Sequence, residues 1–479
     1  VYSPTTEMRM KLPRAINPKR AFFLAATFII LVSVGVGCKN TKSVASLPSV
    51  NLTYWTVWDE PDDFQSAIAT YHASHPNVTV TVRKMNLGDY EQQLVQAWAR
   101  DEGPDIFSIP NAAIGKYRDF ISPLPSKLTL PAQITVKSGF QKKTKIVDQS
   151  RTTMQPGELD SIFVPVVASD VVFNNQIYGL PLATDTLALL YNKDLLNAAK
   201  IVAPPRTWQE LVDMVDSSKT TLTREENSDI VQSGIALGTA DNIARAPDIL
   251  SLLMMQSGAQ MMDASGATVT FQNAATQSDQ TAPGVAALNF YTSFANMQRV
   301  TYSWNDKQTD AQQAFAAGKV AFFVGYKYQL DAIRQQNPSL NVGIAPLPQI
   351  TADAPQTDYA NYWVETVSRR SKYAADAWNF ILHETTGKTQ NGYQVVDYLN
   401  KTKKPAALRD LITAQKDELD LKYYVDALLV ARTWYHGYDY LAMESALREL
   451  IRSVNTGIAP AEALNLAAQK VQATLKKTP

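Results

Sequence analysis

The sequence predicts an α/β protein of two lobes, each a mixed, mostly parallel sheet flanked by helices. Three observations lead there. At 479 residues the chain is too long for one hydrophobic core, so two or three compact bodies are expected. Between Val50 and Ile109, segments of strand period and helix period alternate in the β-α-β-α-β order of a parallel sheet. The stretch Ile177–Leu195, IYGLPLATDTLALLYNKDL, reads as a buried strand entered through Pro181 and Asp185, a place where chain passes between two bodies.

In order, Val50–Val57 alternates apolar and polar residues as a strand and ends in Tyr54-Trp55-Thr56-Val57-Trp58. Asp59 and Pro61 then open a helix to about Ala73. Asp59 is either its N-cap or a ligand-contacting acid beside Trp58. Asn77–Met85 (NVTVTVRKM) alternates as a second strand. Asp89–Arg100 carries Leu94, Val95 and Trp98 on one helical face. Gly103-Pro104-Asp105 turns into a third strand, Ile106–Ile109. Ligands of such sheets sit at the carboxyl ends of strands, and Trp58 and Asn111 fall just past two of them. Residues 121–170, with Pro123, Pro125, Pro131, Pro156 and Pro165, read as a loop-rich extension.

Thr186–Tyr191 is the apolar centre of the next strand, stopped by Asn192-Lys193-Asp194. Thr207 and Glu210 have capping-box spacing at the start of a helix. Gly234–Gly238 reads as a short strand. Asp248–Gln256, Pro283–Ala295 and Asp310–Ala317 read as helices, the first ended by Gly258 and the last by Gly318. Val320–Val324 is a strand leading into Gly325-Tyr326-Lys327-Tyr328, and Asn341–Ala345 is another. Tyr359–Ser368 is extended and carries Tyr359, Tyr362 and Trp363. Ala374, Ala377, Trp378, Ile381 and Leu382 mark a packed helix. Pro405–Val430 reads as a polar helical stretch, and Thr433–Tyr440 (TWYHGYDY) as an aromatic cluster opening a helix. Pro460 starts the last helix.

Composition excludes several functions. Hydrophobic residues are 45% and charged residues 19%, ordinary for a globular protein. The 45 basic and 45 acidic residues balance, so the basic excess of a nucleic-acid binder is missing. The 21 Tyr outnumber the 16 Phe, which suggests that some line a wet, half-apolar surface. His72, His75, His383 and His436 are scattered without a ligand set, and no metal site is expected. No Walker loop, dinucleotide fingerprint or nucleophile elbow occurs, and no cofactor is expected. Carboxylates paired in space, as a glycosidase needs, stay open.

The N-terminal region resembles a bacterial lipoprotein signal. Arg9, Lys11, Arg14, Lys19 and Arg20 form a basic segment, and the apolar run Ala21–Val36 leads through Gly37 to Cys38, the one cysteine. Residues 1–37 are expected as a signal peptide, Cys38 as the lipidated residue and 38–49 as a tether. Val1–Glu7, upstream of Met8, would precede the true start. Gly35 departs from the usual aliphatic residue, which leaves an uncleaved anchor as the alternative.

DYEQQLVQAWARDEGPDIFSIP, NNQIYGLPLATDTLALLYNKDLL, PPRTWQEL, GIALG, LMMQSGA, AFAAGKVAFFVGY and NYWVETVSRRS together resemble the family 1 extracellular solute-binding proteins of ABC importers, the maltose-binding-protein-like group. Order and spacing hold from about Asn51 to Val471. The resemblance implies a two-lobed periplasmic-binding-protein-like fold of type II, with ligand in the inter-lobe cleft. Residues 50–183 with 366–425 would form one lobe and 187–363 with 428–479 the other. Crossings would fall near 183–187, 364–367 and 422–429. Carried over by position, the cleft residues are Trp58, Asp59, Asn111, Asp185, Tyr326, Tyr328, Trp363 and Trp434. Sugars suit such a set, because aromatic planes cover their C–H faces while Asp, Asn and Lys bond their hydroxyls.

The implied protein is a monomeric, lipid-anchored receptor on the extracellular face, not an enzyme. It would deliver a carbohydrate, an oligosaccharide by this reading, to an ABC permease. A peptide, polyamine or polyol phosphate as ligand, and a surface glycan-active enzyme or adhesin, are the alternatives. A phosphate ligand would want more cleft cations than Lys327 alone.

Overall fold

In a computed structural model of the chain, the described residues are 47–138, 141–274 and 281–477. The expected leader, Cys38 and most of the expected tether lie outside them. The chain divides into two compact units. Among the described residues one is Leu47 with Pro131–Val147, and the other is Pro48–Leu130 with Asp148 onward. The smaller contains residues 131–138 and 141–147 of two long strands, Lys127–Ser138 and Gln141–Thr152, which pair with each other. Everything below concerns the larger. No described helix is long and apolar enough to cross a membrane.

The first sheet of this unit grows around Val50–Thr56, whose Val50, Leu52 and Tyr54 alternate into a core. Val78–Lys84 and Ile106–Pro110 flank it in parallel, and Trp363–Val367 pairs antiparallel with the latter. The second sheet grows around Asp185–Asn192, whose Leu187–Leu190 are all buried. Val320–Tyr326 runs antiparallel along one side, and Val342–Ala345 and Asp358–Asn361 share the other. Asp229–Ile235 extends the sheet in parallel beside Val320–Tyr326. The first sheet is therefore mostly parallel. In the second, the central strand opposes each of its neighbours, because the chain enters it directly from the other body and not through a crossover helix.

Two hydrophobic cores follow the sheets. One holds Tyr54, Phe107, Ile109, Val364 and Trp378. The other holds Leu189, Trp304, Phe322, Tyr326 and Leu447. The chain leaves the first core after Leu182 and joins the second at Leu187. It returns at Tyr359–Tyr362 and passes again between Ala431 and Trp434. Asp358–Asn361 and Trp363–Val367 belong to different sheets with only Tyr362 between them. Val364–Val367 thus lies inside the first sheet, with Val364 and Val367 fully buried, and the passage precedes it. Thr186 pairs with Ala360 and Asp185 with Asn361, so the first and second passages run side by side.

Local departures have local causes. Residues 121–170 are not loop-rich: besides the two twelve-residue strands they hold the helices Leu159–Ile162 and Pro165–Val171. Pro131 does not break its strand, since a two-stranded ribbon leaves one edge of each strand unpaired. Asp59 is not a helix cap. Glu60 takes that position, with its N–H donating to Asp63 at 2.9 Å. Thr207 accepts from the Glu210 N–H at 3.1 Å, but Glu210 returns to the Arg206 N–H, one residue ahead of a reciprocal box. Pro405–Val430 resolves into two short helices, Arg409–Gln415 and Lys422–Ala427. The aromatic cluster 433–439 precedes its helix, which starts at Tyr440 under the Asp439 side chain.

Candidate ligand cleft

A cleft of about 640 Å³ opens between the two cores, within the roughly 300–1,000 Å³ usual for small-molecule sites. Trp58, Asp59, Tyr90, Asn111 and Trp363 line it from the side of the first sheet. Asp185, Arg245, Asp248, Tyr328 and Glu444 line it from the side of the second.

Aromatic rings frame its mouth. Trp58, just past the end of the Val50–Thr56 strand, is 50% exposed, and Tyr328 across the cleft is 48% exposed. Their centroids are 6.4 Å apart with the planes 31° from parallel. Trp363 stands perpendicular to Trp58 at 6.2 Å and meets Tyr90 at 6.3 Å. Of these rings Trp58 and Tyr328 keep open faces, a surface suited to the C–H face of a sugar ring, while Tyr90 is buried and Trp363 partly so.

The polar wall is mostly committed to internal bonds. Lys404 Nζ is paired with Asp59 and lies 2.9 Å from the Tyr398 hydroxyl. Arg245 donates to Asp248 at 2.8 and 2.6 Å and to Glu444 at 3.3 Å. Lys327 is buried with its Nζ 2.5 Å from Asp331. Asp185 accepts three backbone N–H groups, from Thr186 at 2.9 Å, Lys327 at 3.1 Å and Tyr328 at 3.3 Å. The last two open the helix Lys327–Gln336, so Asp185 fastens the central strand to a helix N-terminus. Burial pushes its pKa up to about 7 against the pull of those donors. Glu365 accepts from Ser108 Oγ at 2.5 Å, and burial pushes its pKa up to about 7 as well. Asn111, 6% exposed, donates from Nδ2 to Asp170 at 2.8 Å. The lining carboxylates Asp59, Glu91, Asp185, Asp248, Asp331, Glu365 and Glu444 outnumber Arg245, Lys327 and Lys404, and each of these cations is already paired. Among the described residues no His, Cys, Asp and Glu cluster is arranged to hold a metal ion.

Trp58, Asp59, Asn111, Asp185, Tyr328 and Trp363 thus line one cleft, and two expected residues do not. Tyr326 is fully buried; its hydroxyl donates to Asp248 at 2.7 Å and its ring stacks behind Tyr328 at 5.8 Å. It ends a strand whose every residue is buried, which leaves it no face toward solvent. Trp434 is 6% exposed, its Nε1 donates to Ser251 at 3.1 Å, and Phe271 packs edge-on against it. It follows the short edge strand Ala431–Arg432, and its neighbour Thr433 takes the cleft-facing side. Sequence reasoning missed Tyr90, Arg245, Asp248, Glu365, Lys404 and Glu444. Tyr90 had a signal, since it opens a helix close to a strand's carboxyl end. The Arg245–Glu444 contact spans 199 residues and had none.

This architecture is shared with solved structures. The cyclic α-maltosyl-1,6-maltose binding protein of Arthrobacter globiformis superposes with a TM-score of 0.69 at 19% identity, over 89% of this chain and 99% of its own. A cyclo/maltodextrin-binding protein complexed with maltotetraose gives 0.67 at 16% identity, over 90% of this chain and 100% of its own. Among sequence relatives, a putative binding protein of Brucella abortus is 24% identical over 56% of this chain, and the match spans only 58% of that protein's length. The maltodextrin-binding protein MdxE of Bacillus subtilis is 20% identical over 84% of each chain. A profile described as bacterial extracellular solute-binding protein matches residues 66–416, and the chain is a member of that family.

Proposed function

We propose that the cleft binds a neutral oligosaccharide and that the protein is the receptor of an ABC importer, handing that sugar to a membrane permease. The observation that carries the reading is the aromatic mouth, where half-exposed Trp58 meets half-exposed Tyr328 across the opening and the partly buried Trp363 stands edge-on to Trp58. The paired state of Arg245, Lys327 and Lys404 supports an uncharged ligand over a polyol phosphate, because each described lining cation already meets a carboxylate. The sugar-binding names of the Bacillus relative and of the solved neighbours support the same choice. Ligand touching both walls would shift an open–closed equilibrium toward the closed form, which the permease would recognise. The lobes would comprise residues 50–183 with 366–425 and 187–363 with 428–479. Lipid on Cys38 would hold a monomeric receptor near its permease on the extracellular side.

The excess of lining carboxylates favours one second reading, a polyamine. A thermal-shift and calorimetry panel of neutral oligosaccharides, polyamines, polyol phosphates and peptides tests both, since a ligand of the native state raises its melting temperature. Micromolar binding of an oligosaccharide, with compaction in small-angle scattering and no new reducing ends, is expected. Binding of spermidine alone would replace the sugar reading, and release of reducing ends would replace the receptor.

A further inference from the structure

Asp170 sits on the helix Pro165–Val171, is fully buried and does not line the cleft. Its carboxylate nevertheless gathers donors from three distant parts of the chain. Oδ2 accepts from Asn111 Nδ2 at 2.8 Å and from the Tyr362 hydroxyl at 2.7 Å. Oδ1 accepts from the Thr433 hydroxyl and from His436 Nε2 at 3.0 Å. Asn111, Tyr362 and Thr433 do line the cleft. Tyr362 lies in the second passage between the cores and Thr433 in the third.

A carboxylate accepts hydrogen bonds and donates none, so it dictates the direction of every bond it makes. The single hydrogen of Thr433 is spent on Asp170, and toward the cleft that hydroxyl can only accept. Asn111 gives one amide hydrogen to Asp170 and keeps the other, so toward the cleft it can donate. We propose that Asp170 is a positioning residue which fixes this acceptor–donor pair and thereby selects a ligand hydroxyl at that point of the cleft. A hydroxyl both donates to Thr433 and accepts from Asn111. A fluorine, an ether oxygen or an anionic oxygen cannot donate, and leaves Thr433 unpaired in a partly buried place. The proposal rests on the carbohydrate reading above.

The test uses the full chain and whichever of maltotetraose, mannobiose and a galacto-oligosaccharide binds most tightly, together with its mono-deoxyfluoro series, in which fluorine keeps the size of the hydroxyl without its proton. The wild type is expected to bind one member of the series roughly five- to a hundredfold more weakly than the parent. In Asp170→Asn the new amide can donate to Thr433 and turn its proton toward the cleft, so that penalty should fall to within twofold. A folded Asp170→Asn that keeps the wild-type penalty overturns the role of Asp170 and leaves the sugar reading intact. If Asp170→Asn does not fold, Thr433 decides. Thr433→Val should lose the discrimination and Thr433→Ser should keep it, and a Thr433→Val that still discriminates overturns the proposal. A wild type that binds none of the three sugars overturns both readings.

Discussion

Trp58 and Trp434 were equal candidates by sequence, and the structure makes them opposite in effect. Trp58 is half exposed at the cleft mouth, and Trp434 is buried in the second core. A tryptophan side chain buries at most roughly 250 Å², so the open half of Trp58 offers a ligand about 125 Å², worth about 3 kcal/mol at 25 cal/mol per Å² as a ceiling. Ordering of ligand and side chain lowers that figure. Trp58→Ala should therefore weaken binding of the proposed oligosaccharide by about 1.5–3 kcal/mol, roughly ten- to a hundredfold. Its cost in stability should stay within about 1 kcal/mol, because half of the ring is already in water. Trp434→Ala should do the reverse, costing about 3–5 kcal/mol of stability through the cavity it leaves. Isothermal titration calorimetry reads the first and urea unfolding the second. A Trp58→Ala protein that binds within twofold of wild type would refute the assignment of the mouth. So would a Trp434→Ala protein as stable as wild type.

Glu365 should make stability depend on pH. Its pKa is raised from 4.5 to about 7, so the folded state holds a proton that the unfolded state releases, and stability should fall as pH climbs through that interval and level off above it. Glu365→Gln, whose amide oxygen can still accept from Ser108, should show a flatter profile; melting curves that stay parallel from pH 4.5 to 7.5 would count against this. Arg245→Met should cost about 3–5 kcal/mol, since it strands the buried Asp248 beside Glu444. The double variant with Asp248→Asn should regain part of that loss in urea titrations. Gly115→Ala should destabilise by about 1–3 kcal/mol, because a Cβ there would stand 2.1 Å from the Gly437 carbonyl oxygen and one backbone would have to retreat; an unchanged melting temperature would show that the two segments part freely.

The first sheet could be read in the sequence because each strand announces itself: Val50, Leu52 and Tyr54 alternate into the core without help from distant chain. The direction of Asp185–Asn192 could not, since strand direction depends on how the chain arrives, and periodicity is blind to that. The same limit applies within the cleft. Trp58 and Tyr328 lie just past strand ends, where a parallel sheet displays its ligands, and both reach the site. Trp434 differs from Thr433 by a single step just past the two-residue edge strand Ala431–Arg432, whose pairing with Asp358 and Tyr359 is set far away in sequence. The Arg245, Asp248 and Glu444 group is assembled wholly by tertiary folding. Pro131 misled by a general rule, because its presence argued against a strand that its position tolerates.

Tyr362 alone separates a strand of one sheet from a strand of the other, and arithmetic makes that spacing consequential. Side chains of a strand alternate with a repeat of two. Adding or deleting one amino acid at this junction would turn Trp363 away from the opening and drive Glu365 onto the face now held by the fully buried Val364 and Thr366, although neither residue had been replaced. Descendants of this gene can thus vary the letters around position 362 more freely than their number, and an indel there should disrupt the cleft even where many point changes are tolerated.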